Sequence, residues 1–434
     1  MTKDELKQKV CAAIDARGKE LIEFGDDILA HPELGYKETR TSAKAEEKFK
    51  SLGLDYQRGI ALTGLKAKLK GKASDVSFCV MGELDSVLCP GHPFADPLTG
   101  AAHSCGHNGQ LTAMIGAGMG LVDSGAMKHL GGDVILMAMP AEEYVEIEYR
   151  NKLRREGKIQ FLGGKQQFVL EGGFDDVDMV MMVHGQTAPG FKMGVGGTSN
   201  GFVGKFIRYK GKEAHSGAAP HDGINALNAA MLGLMGIHAQ RETLKDDDTV
   251  RIHPIITKGG DLVNVVPADV RIETYIRGKR MEAVIDAAKK VDRALKAGAM
   301  AIGAEVEIVN LPGYLPRIPS PAFDEVVRGA TAYLVGPENV VMGKHGTASN
   351  DTGDLSHLMP TATASIGGVI GVGHSEDYEI VDRDLFYLGA SKIFAMTAID
   401  LLWDDASVAK CVKASYKAPY TKETYFKMWD ELLK

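Results

Sequence analysis

The sequence predicts a two-domain α/β fold, in which a smaller domain interrupts a first domain that has a mostly parallel central sheet. Strand-like apolar runs alternate with helical segments before residue 190 and again after residue 315, the pattern of a largely parallel sheet. Between them the predicted order is β-α-β-β-α-β, that of a ferredoxin-like unit. We therefore expect one domain from residues 1–190 and 315–434, and a second from residues 191–314.

The first part of the chain predicts a helix and then three buried strands. Apolar residues recur at helical spacing from Val10 to Ile28, and the helix should end near His31-Pro32, because the residue before a proline leaves the helical conformation. Short apolar runs that lead into polar residues are typical of buried parallel strands. The predicted strands are Asp75–Val80, Asp133–Met139 and Asp178–His184, and the predicted helices between them are Leu111–Leu121 and Glu143–Glu156.

The inserted domain and the returning segment complete the expected fold. The alternating run Gly201–Lys210 predicts a half-exposed strand. After it we expect helices at Pro220–Arg241 and Met281–Ile302 and strands at Val250–Lys258, Asp269–Arg277 and Glu305–Asn310. The first domain should resume with a helix at Phe323–Leu334, a strand at Thr361–Gly371 and a helix at Asp384–Trp403.

Composition excludes several classes of protein. The 44% hydrophobic and 25% charged residues are typical of a globular enzyme. The net charge of −7 argues against nucleic acid or an anionic membrane as the main partner. We find no apolar run of about 18 residues and no apolar signal core in the charged N-terminus, so we expect no membrane span and a cytoplasmic protein. Five cysteines in so long a chain do not indicate a disulfide framework.

Residues of metal-ligating type occur at or near predicted strand ends. Asp85, the adjacent Glu142 and Glu143, and His184 all follow or end strands, where sites form in such sheets. His103, Cys105 and His107 lie together in a loop, and His374 lies in a glycine-rich segment. Each alone has a structural explanation, such as a core histidine or a glutamate at a helix N-terminus. Together they favour a metal hydrolase, in which two divalent cations about 3.5–4 Å apart activate a bridging water and a carboxylate acts as base.

Nine segments, taken together, resemble the aminoacylase and glutamate-carboxypeptidase type of metallo-amidohydrolases. The nearest branch is that of auxin-conjugate, hippurate and aminobenzoyl-glutamate hydrolases. The segments run in the family's order along most of the chain: HPELGYKET (31–39), GELDSV (82–87), HSCGHNGQ (103–110), PAEE (140–143), VHG (183–185), GKEAHSGAAPHDGINAL (211–227), GGDLVNVVP (259–267), YIRG (275–278) and GHSEDY (373–378).

The resemblance implies a zinc-peptidase-like catalytic domain and assigns roles to the candidate residues. Two divalent metal ions (Mn²⁺ or Zn²⁺, with Co²⁺ as a further option) would be held by five ligands: Cys105 as the bridging ligand, His107, Glu143, His184 and His374. Glu142 would be the general base, and Asp85 would orient a ligand.

The inserted domain of such relatives is a lid and usually a dimer interface, so we expect a homodimer. By the same resemblance His215 would reach the active site of the partner and stabilise the oxyanion, and Asn264 and Arg277 would bind a substrate carboxylate. All three also have plain structural explanations, as exposed loop or strand residues.

Three departures from the family pattern bear on the substrate. Asn108 and Gln110 replace residues of the auxin-conjugate motif and point towards the dipeptidases and the second of the two aminobenzoyl-glutamate hydrolase chains. The segment 349–361, with Asp351, Asp354 and His357, is a candidate rim of the site, although a turn-rich loop is the simpler interpretation. The stretch 144–175 is a charged insertion of unassigned role.

The predicted function is hydrolysis of an amide bond in an N-acyl amino acid or small dipeptide-like substrate. The alternatives are hydrolysis of another C–N bond, such as that of an aryl amine, and a non-catalytic relative used for binding. A serine hydrolase is disfavoured, although Gly197–Gly201 matches Gly-x-Ser-x-Gly, because the residues that follow predict a strand where that motif needs a helix.

Overall fold

The structure, a computed structural model, describes residues 1–433. Its first segment runs from helix α1 to strand β9. The helices are α1 (Lys3–Ala16), α2 (Gly18–Leu29), α3 (Thr39–Ser51), α4 (His107–Asp123), α5 (Ile147–Arg155) and α6 (Gly164–Leu170). The strands are β1 (Tyr56–Ile60), β2 (Gly64–Leu69), β3 (Ser77–Glu83), β4 (Val87–Leu88), β5 (Ala101–Ala102), β6 (Asp133–Met139), β7 (Met179–Gly185), β8 (Met193–Val195) and β9 (Thr198–Ser199).

The second segment is an α+β unit, and the third returns to the first. The second contains β10 (Gly201–Lys210), α7 (Ala226–Ala239), β11 (Arg251–Ile252), β12 (Ile255–Lys258), β13 (Asp269–Gly278), α8 (Met281–Ile302) and β14 (Glu305–Tyr314). The third contains α9 (Pro321–Val335), β15 (Val340–Met342), β16 (His345–Gly346), α10 (Thr352–Ser356), β17 (Thr361–Ile366), β18 (Val369–Ile370), β19 (Glu379–Ile380), α11 (Ala390–Leu402), α12 (Ser407–Ser415) and α13 (Lys422–Leu432).

An eight-stranded sheet with a parallel centre organises the first domain. Its order is β1-β2-β6-β3-β7-β17-β8-β15, and β6, β3, β7 and β17 pair in parallel. Successive side chains of β3 enter different cores: Phe78 and Val80 pack under helices α1, α2, α4 and α11, whereas Cys79 and Met81 pack on the opposite face. Because both faces are buried, the strand is apolar throughout rather than alternating.

The inserted unit has its own sheet and core. β10 lies between β13 and β14, both antiparallel to it, and β11 and β12 pair with the other edge of β13. Burial alternates along β13, and helices α7 and α8 pack against each other and cover the buried face. The expected mixed α/β class, a mostly parallel central sheet interrupted by a ferredoxin-like unit, is thereby confirmed.

Several predicted elements differ in their bounds. The N-terminal helix is divided at Arg17 into α1 and α2, and the strand predicted over 250–258 is divided at His253-Pro254, because proline has no N–H for the ladder. The helix predicted from Glu143 begins only at Ile147, since the residues before it form the turn that holds the two glutamates. The sequence analysis missed helix α3 and strands β1 and β2; β1 is the edge strand of the sheet, and β2 lies between β1 and β6.

One described helical segment is long and apolar enough to cross a membrane by composition. This segment is Asp384–Leu402, and 83% of its apolar 18-residue window is buried inside the protein. Residues Asp384–Gly389 form a π-helical turn and the remainder is α11, which packs against α4 and α9. This burial is that of a core helix, so the segment gives no support to a membrane span.

Candidate metal centre

The parallel strands bring the predicted acidic and histidine residues to one edge of the sheet. β6, β3 and β7 are neighbours, so their carboxyl ends meet. Asp85 follows β3, Glu142 and Glu143 follow β6, and His184 is the penultimate residue of β7. All these side chains except that of His184 are buried, and His184 is partly buried.

A glycine in the left-handed conformation positions Cys105 and His107. Gly106 has φ 82° and precedes His107, the first residue of α4. A Cβ atom on Gly106 would come within 2.3 Å of the Tyr378 hydroxyl oxygen, so a larger residue would displace this loop. The turn directs the thiol and the imidazole towards the carboxyl ends of the central strands.

The turn that carries Glu142 and Glu143 is held by side chains on every side. Ala141 has φ 53°; its N–H donates to Glu38 Oε1 at 2.8 Å, and its carbonyl accepts from Arg150 at 3.3 Å. The Glu143 N–H donates to Asp85 Oδ2 at 2.8 Å. Glu38 and Arg150 are fully buried and were not predicted; Arg150 belongs to the charged insertion, to which the sequence analysis assigned no role.

The contacts of His107 show that its environment fits a cation. Nδ1 lies 2.9 Å from the Asp85 carbonyl oxygen and 3.2 Å from Asp85 Oδ1, both acceptors, so Nδ1 carries the proton. Nε2 then presents a lone pair, yet it faces Glu83 Oε2 at 3.1 Å, Glu142 Oε2 at 3.8 Å and Glu143 Oε1 at 4.0 Å. His107 Nε2, Glu83 Oε2 and Glu143 Oε1 are buried and form no hydrogen bond. Clustered acceptors of this kind suit a metal ion.

Two groups of potential metal ligands share one residue. Ligand atoms of Cys105, His107 and His184 lie within 4.8 Å of one another, and so do those of Cys105, Glu143 and His374. The Cys105 Sγ lies 3.4 Å from His184 Nε2, and His374 Nε2 lies 3.0 Å from Glu143 Oε1. The five residues predicted as ligands therefore converge, and their arrangement offers two adjacent positions with the thiol in common.

His374 reaches this cluster from a loop in the last third of the chain. It has φ 65°, and its N–H donates to the Ser104 carbonyl at 2.9 Å, which ties its loop to the one that carries Cys105. Its side chain is half-exposed. Of the five candidate ligands, His374 is thus the most exposed to solvent.

The charges of the cluster shift its pKa values in opposite directions. Burial and Glu143 oppose ionisation of Cys105, but His107 and His184 prevail and lower the pKa of this thiol to about 6. Burial alone would raise the pKa of Glu143, whereas its contact with His374 lowers it to about 2. Burial, with the Glu83 and Glu143 carboxylates, raises the pKa of Glu142 well above its usual value. Of the two adjacent glutamates, Glu142 is therefore the one that more readily accepts a proton.

A buried ammonium group lies directly behind the cluster. Lys165 Nζ contacts Glu83 Oε1 at 2.5 Å and also Asp351 Oδ1, and all three side chains are inaccessible to solvent. Burial would raise the pKa of Glu83, but Lys165 and His107 lower it to about 2. The sequence analysis missed Lys165, because a lone lysine in a helix is usually a surface residue. It also missed Glu83, the last residue of β3, although Glu83 precedes Asp85 by only two residues.

The segment 349–361 lines the site cavity with Ser349, Asn350 and Thr352, but the three side chains expected at its rim point elsewhere and are not lining residues. Asp351 and Asp354 are fully buried and His357 nearly so, around the short helix α10. Asp354 accepts hydrogen bonds from the Tyr425 hydroxyl at 2.7 Å, from Gln166 at 3.0 Å and from the Leu315 N–H at 3.2 Å. The segment therefore supports the cluster from within the protein and anchors helix α13.

A cavity of about 400 Å³ opens onto the cluster, and one of the three predicted lid residues lines it. Arg277 faces this cavity, next to the packed rings of Phe202 and Tyr275. His215 and Asn264 are exposed and are not among its lining residues. They are adjacent on the lid, where the Ser216 N–H donates to the Asn264 carbonyl at 2.9 Å. The Gly197–Gly201 segment leads into strand β10, which confirms that it is no nucleophile elbow.

Comparison with known proteins agrees with this geometry. Residues 198–301 match the peptidase dimerisation domain of the M20 family. Xaa-Arg dipeptidase of Mus musculus is 26% identical over 439 residues, which cover 96% of this chain and 94% of that protein. Indole-3-acetyl-aspartic acid hydrolase of Enterobacter agglomerans is 24% identical over 71% of this chain and 68% of its own.

A solved Bacillus subtilis structure, described as a dinuclear metal-binding peptidase of the M20 family, shares the fold. It superimposes with a TM-score of 0.63 at 21% identity, over 89% of this chain and 99% of that one. The chain thus carries the M20 peptidase dimerisation domain and is similar, over most of its length, to hydrolases and dipeptidases. Its relatives are named as dipeptidases and hydrolases, and the chain is a hydrolase of this general type. The resemblance drawn from its sequence motifs is confirmed.

Proposed function

We propose that the protein is a binuclear metal-dependent hydrolase that cleaves the amide bond of an N-acyl amino acid or small dipeptide-like substrate. The observation that carries this proposal is the pair of ligand groups that share Cys105. One position would use His107 and His184, the other Glu143 and His374, with the Cys105 thiolate common to both. The low pKa of Cys105 supports this role, because the thiolate is the ligating form.

Two bound divalent cations would polarise the scissile carbonyl and make water acidic enough to attack at neutral pH. Thiolate and imidazole ligands suit Zn²⁺, whereas the carboxylate also accommodates Mn²⁺ or Co²⁺. Asp85 accepts the Nδ1–H of His107 and so directs Nε2 towards the cluster; this is the orienting contact expected of a carboxylate behind a ligating histidine.

Glu142 would act as general base and then as general acid. Its carboxylate lies beside the cluster, 3.8 Å from His107 Nε2, and it lines the cavity. It would take a proton from the attacking water and deliver it to the leaving nitrogen. Its environment favours proton uptake, in contrast to that of Glu143. The Tyr314 hydroxyl, which donates to the Glu142 carbonyl at 2.6 Å, would keep the residue in place.

The lid would bind the substrate and form a homodimer. Arg277 lines the cavity of its own chain and would bind a substrate carboxylate. His215 and Asn264, exposed outside that cavity, would be supplied to the cavity of the partner subunit, with His215 stabilising the oxyanion. The match to a dimerisation domain supports this arrangement. We also propose a cytoplasmic location, which the five unpaired cysteines favour.

Elemental analysis together with activity before and after chelation tests the function. A panel of N-acyl amino acids, dipeptides and one aryl amide would be the substrates. We expect close to two metal ions per chain, with activity lost on chelation and restored by Zn²⁺ or Mn²⁺. A protein that binds no metal would favour the non-catalytic alternative, and activity confined to the aryl amide would favour the other C–N hydrolase.

Mixing two inactive variants tests the shared site. Neither Glu142→Gln nor His215→Ala should be active alone, but in a hybrid dimer one cavity receives Glu142 from one subunit and His215 from the other. Random pairing makes half the dimers hybrid, each with one intact site, so about a quarter of wild-type activity should return. No recovery in a mixture shown by mass spectrometry to contain hybrids would contradict the role of His215 across the interface.

A further inference from the structure

The charged residues around the cavity are unevenly distributed. The lining contains two carboxylates, Glu142 and Glu143, and both belong to the metal centre. Away from that centre the charged lining residues are two arginines, Arg277 and Arg317. The part of the cavity that would contact the substrate outside its scissile bond is therefore positively charged.

Arg317 lies between β14 and α9, and none of the roles proposed above involves it. It is half-buried, and one terminal nitrogen donates to the Gly196 carbonyl at 2.9 Å. Among residues 1–433 no carboxylate oxygen lies within 4.0 Å of its guanidinium nitrogens. Asp324 attracts it from farther away, and burial lowers the pKa of Arg317 despite that attraction.

Arg277 is unpaired in the same way. Its guanidinium carbon lies 5.6 Å from the ring centre of Phe202 and 5.5 Å from that of Tyr275, so aromatic faces support it. Its Nε is buried without a hydrogen-bond partner, and no carboxylate of the described residues lies within 4.0 Å. Partial burial of an unpaired charge is unfavourable unless a ligand supplies the counter-charge. Planar guanidinium groups are well suited to carboxylates.

We infer that Arg317 is a second carboxylate-binding residue and that the preferred substrates carry two carboxylates. The inference rests on the proposed amide hydrolysis and narrows its substrate class. One carboxylate would bind Arg277 and the other Arg317. The second carboxylate belongs either to the side chain of an acidic amino acid on the leaving side or to a dicarboxylic acyl group; the recognition chemistry is the same.

The same charges disfavour a basic substrate. A dipeptide that ends in arginine would add a third guanidinium group to the cavity. The two carboxylates that line the cavity, Glu142 and Glu143, belong to the metal centre and would not neutralise it. Like charges in a partly desolvated site repel. Selectivity should therefore differ from what the name of the Xaa-Arg dipeptidase relative states for that protein.

Substrate selectivity tests the inference directly. We would measure kcat/KM of the metal-loaded enzyme for N-acetyl-glutamate, N-succinyl-alanine, N-acetyl-leucine and alanyl-arginine. One of the two dicarboxylates should exceed the other substrates, and which one it is identifies the side of the scissile bond that carries the second carboxylate. A higher kcat/KM for N-acetyl-leucine or alanyl-arginine than for both dicarboxylates would overturn the inference.

The variant Arg317→Gln distinguishes a role of Arg317 in substrate binding from a structural role as the cation that attracts Asp324. Loss of one charge-assisted hydrogen bond should lower kcat/KM about tenfold to a hundredfold for the preferred dicarboxylate, mainly through KM, and leave N-acetyl-leucine nearly unchanged. Arg317→Lys should recover part of the loss. Arg328→Gln, an exposed arginine on α9, is the matched control. An equal loss for all substrates with a lowered melting temperature would assign Arg317 a structural role and overturn the inference.

Calorimetric measurement of product affinity tests the carboxylate site without requiring catalysis. On chelated protein, L-glutamate or succinate should bind more tightly to wild type than to Arg317→Gln, and L-leucine should not discriminate between them. If metal-dependent hydrolysis is found without a preference for dicarboxylates, this inference fails and the proposed function stands. If no substrate is hydrolysed but the difference in product binding is present, the proposed function fails and the carboxylate site stands.

Discussion

Two groups of buried charged side chains lie back to back in this protein, and they differ in how their polar atoms are matched. In the group behind the centre, both oxygens of Asp351 accept hydrogen bonds from Lys165, and both oxygens of Asp354 accept hydrogen bonds as well. The second group, called here the cavity-side group, contains the candidate metal ligands. In it, His107 Nε2 and Glu143 Oε1 have no hydrogen-bond partner. Burial and charge are common to both, but the unmatched atoms of the charged side chains, His107 Nε2, Glu143 Oε1 and Glu83 Oε2, belong to the cavity side.

The difference shows which buried charges need a ligand. The charge of a lysine that lies between two carboxylates is balanced within the protein, so the role of such a lysine is structural. Acceptors that face one another need a proton or a metal ion between them. Glu83 belongs to both groups, because Oε1 contacts Lys165 and Oε2 faces His107 Nε2. It therefore couples the position of the His107 imidazole to the internal network.

Replacing Glu142 should have the largest effect on activity. Glu142→Gln removes the proton acceptor and keeps the shape, so kcat should fall about 10²- to 10⁴-fold while metal content stays near two ions per chain. Steady-state kinetics and elemental analysis on the same preparation measure both. Glu156→Gln, an exposed glutamate at the end of α5, is the control. A near wild-type rate for Glu142→Gln would contradict the assignment of the base.

Breaking the internal network should mainly affect stability. Lys165→Met leaves Glu83 and Asp351 buried without their cation, so the free energy of unfolding should fall by about 3–5 kcal/mol. Urea denaturation followed by the fluorescence of Trp403 and Trp429 measures the change. Lys158→Met, at an exposed position, should have little effect. An unchanged denaturation midpoint would mean that the ion pairs contribute no net stability.

Replacing the shared ligand should act on the metal and leave the fold intact. Cys105→Ser substitutes a poorer ligand for the thiolate, so the metal content should fall below two ions per chain while the denaturation midpoint of the chelated protein changes little. Cys411→Ser is the control, since Cys411 is exposed and free. Unchanged metal stoichiometry in Cys105→Ser would argue against a bridging role.

The sequence predicted the cavity-side group far better than the internal one. Its candidate ligands lie in short motifs that the sequence makes visible: Cys105 and His107 in one loop, and Glu142 and Glu143 after β6. Lys165 and Arg150 carry no such signal, because a charged residue within a helix is usually exposed, and Glu38 is a single carboxylate just before α3. Their burial follows from contacts across more than 80 residues of sequence, such as that of Lys165 with Glu83, which no local pattern encodes.

Prediction of the central sheet succeeded for the same reason and failed near the edge of the sheet. The central strands were predicted because burial on both faces makes them continuously apolar, as in Asp133–Met139, which matches β6 residue for residue. The edge strand β1 and its neighbour β2 were missed; β1 is largely exposed and has little apolar pattern. Whether His215 and Asn264 serve the site depends on a second subunit, which sequence spacing within one chain does not describe.

The smallest predicted effect concerns one hydroxyl of the internal network. Burial raises the pKa of Asp354 to about 7, although the Tyr425 and Gln166 contacts act to lower it. Because the folded pKa exceeds the unfolded one, this group costs stability as the pH rises from about 4 to about 7. Tyr425→Phe removes a donor that matters most once Asp354 is ionised.

The destabilisation by Tyr425→Phe should therefore depend on pH. We expect about 1 kcal/mol near pH 5, where Asp354 is neutral in the folded protein, and about 2 kcal/mol near pH 8, where the hydroxyl donates to a charged oxygen. Urea denaturation at the two pH values measures the difference, with Tyr420→Phe as control. A pH-independent loss would mean that Asp354 does not titrate in this range, and the internal network would then hold its charge as firmly as the Lys165 ion pairs do.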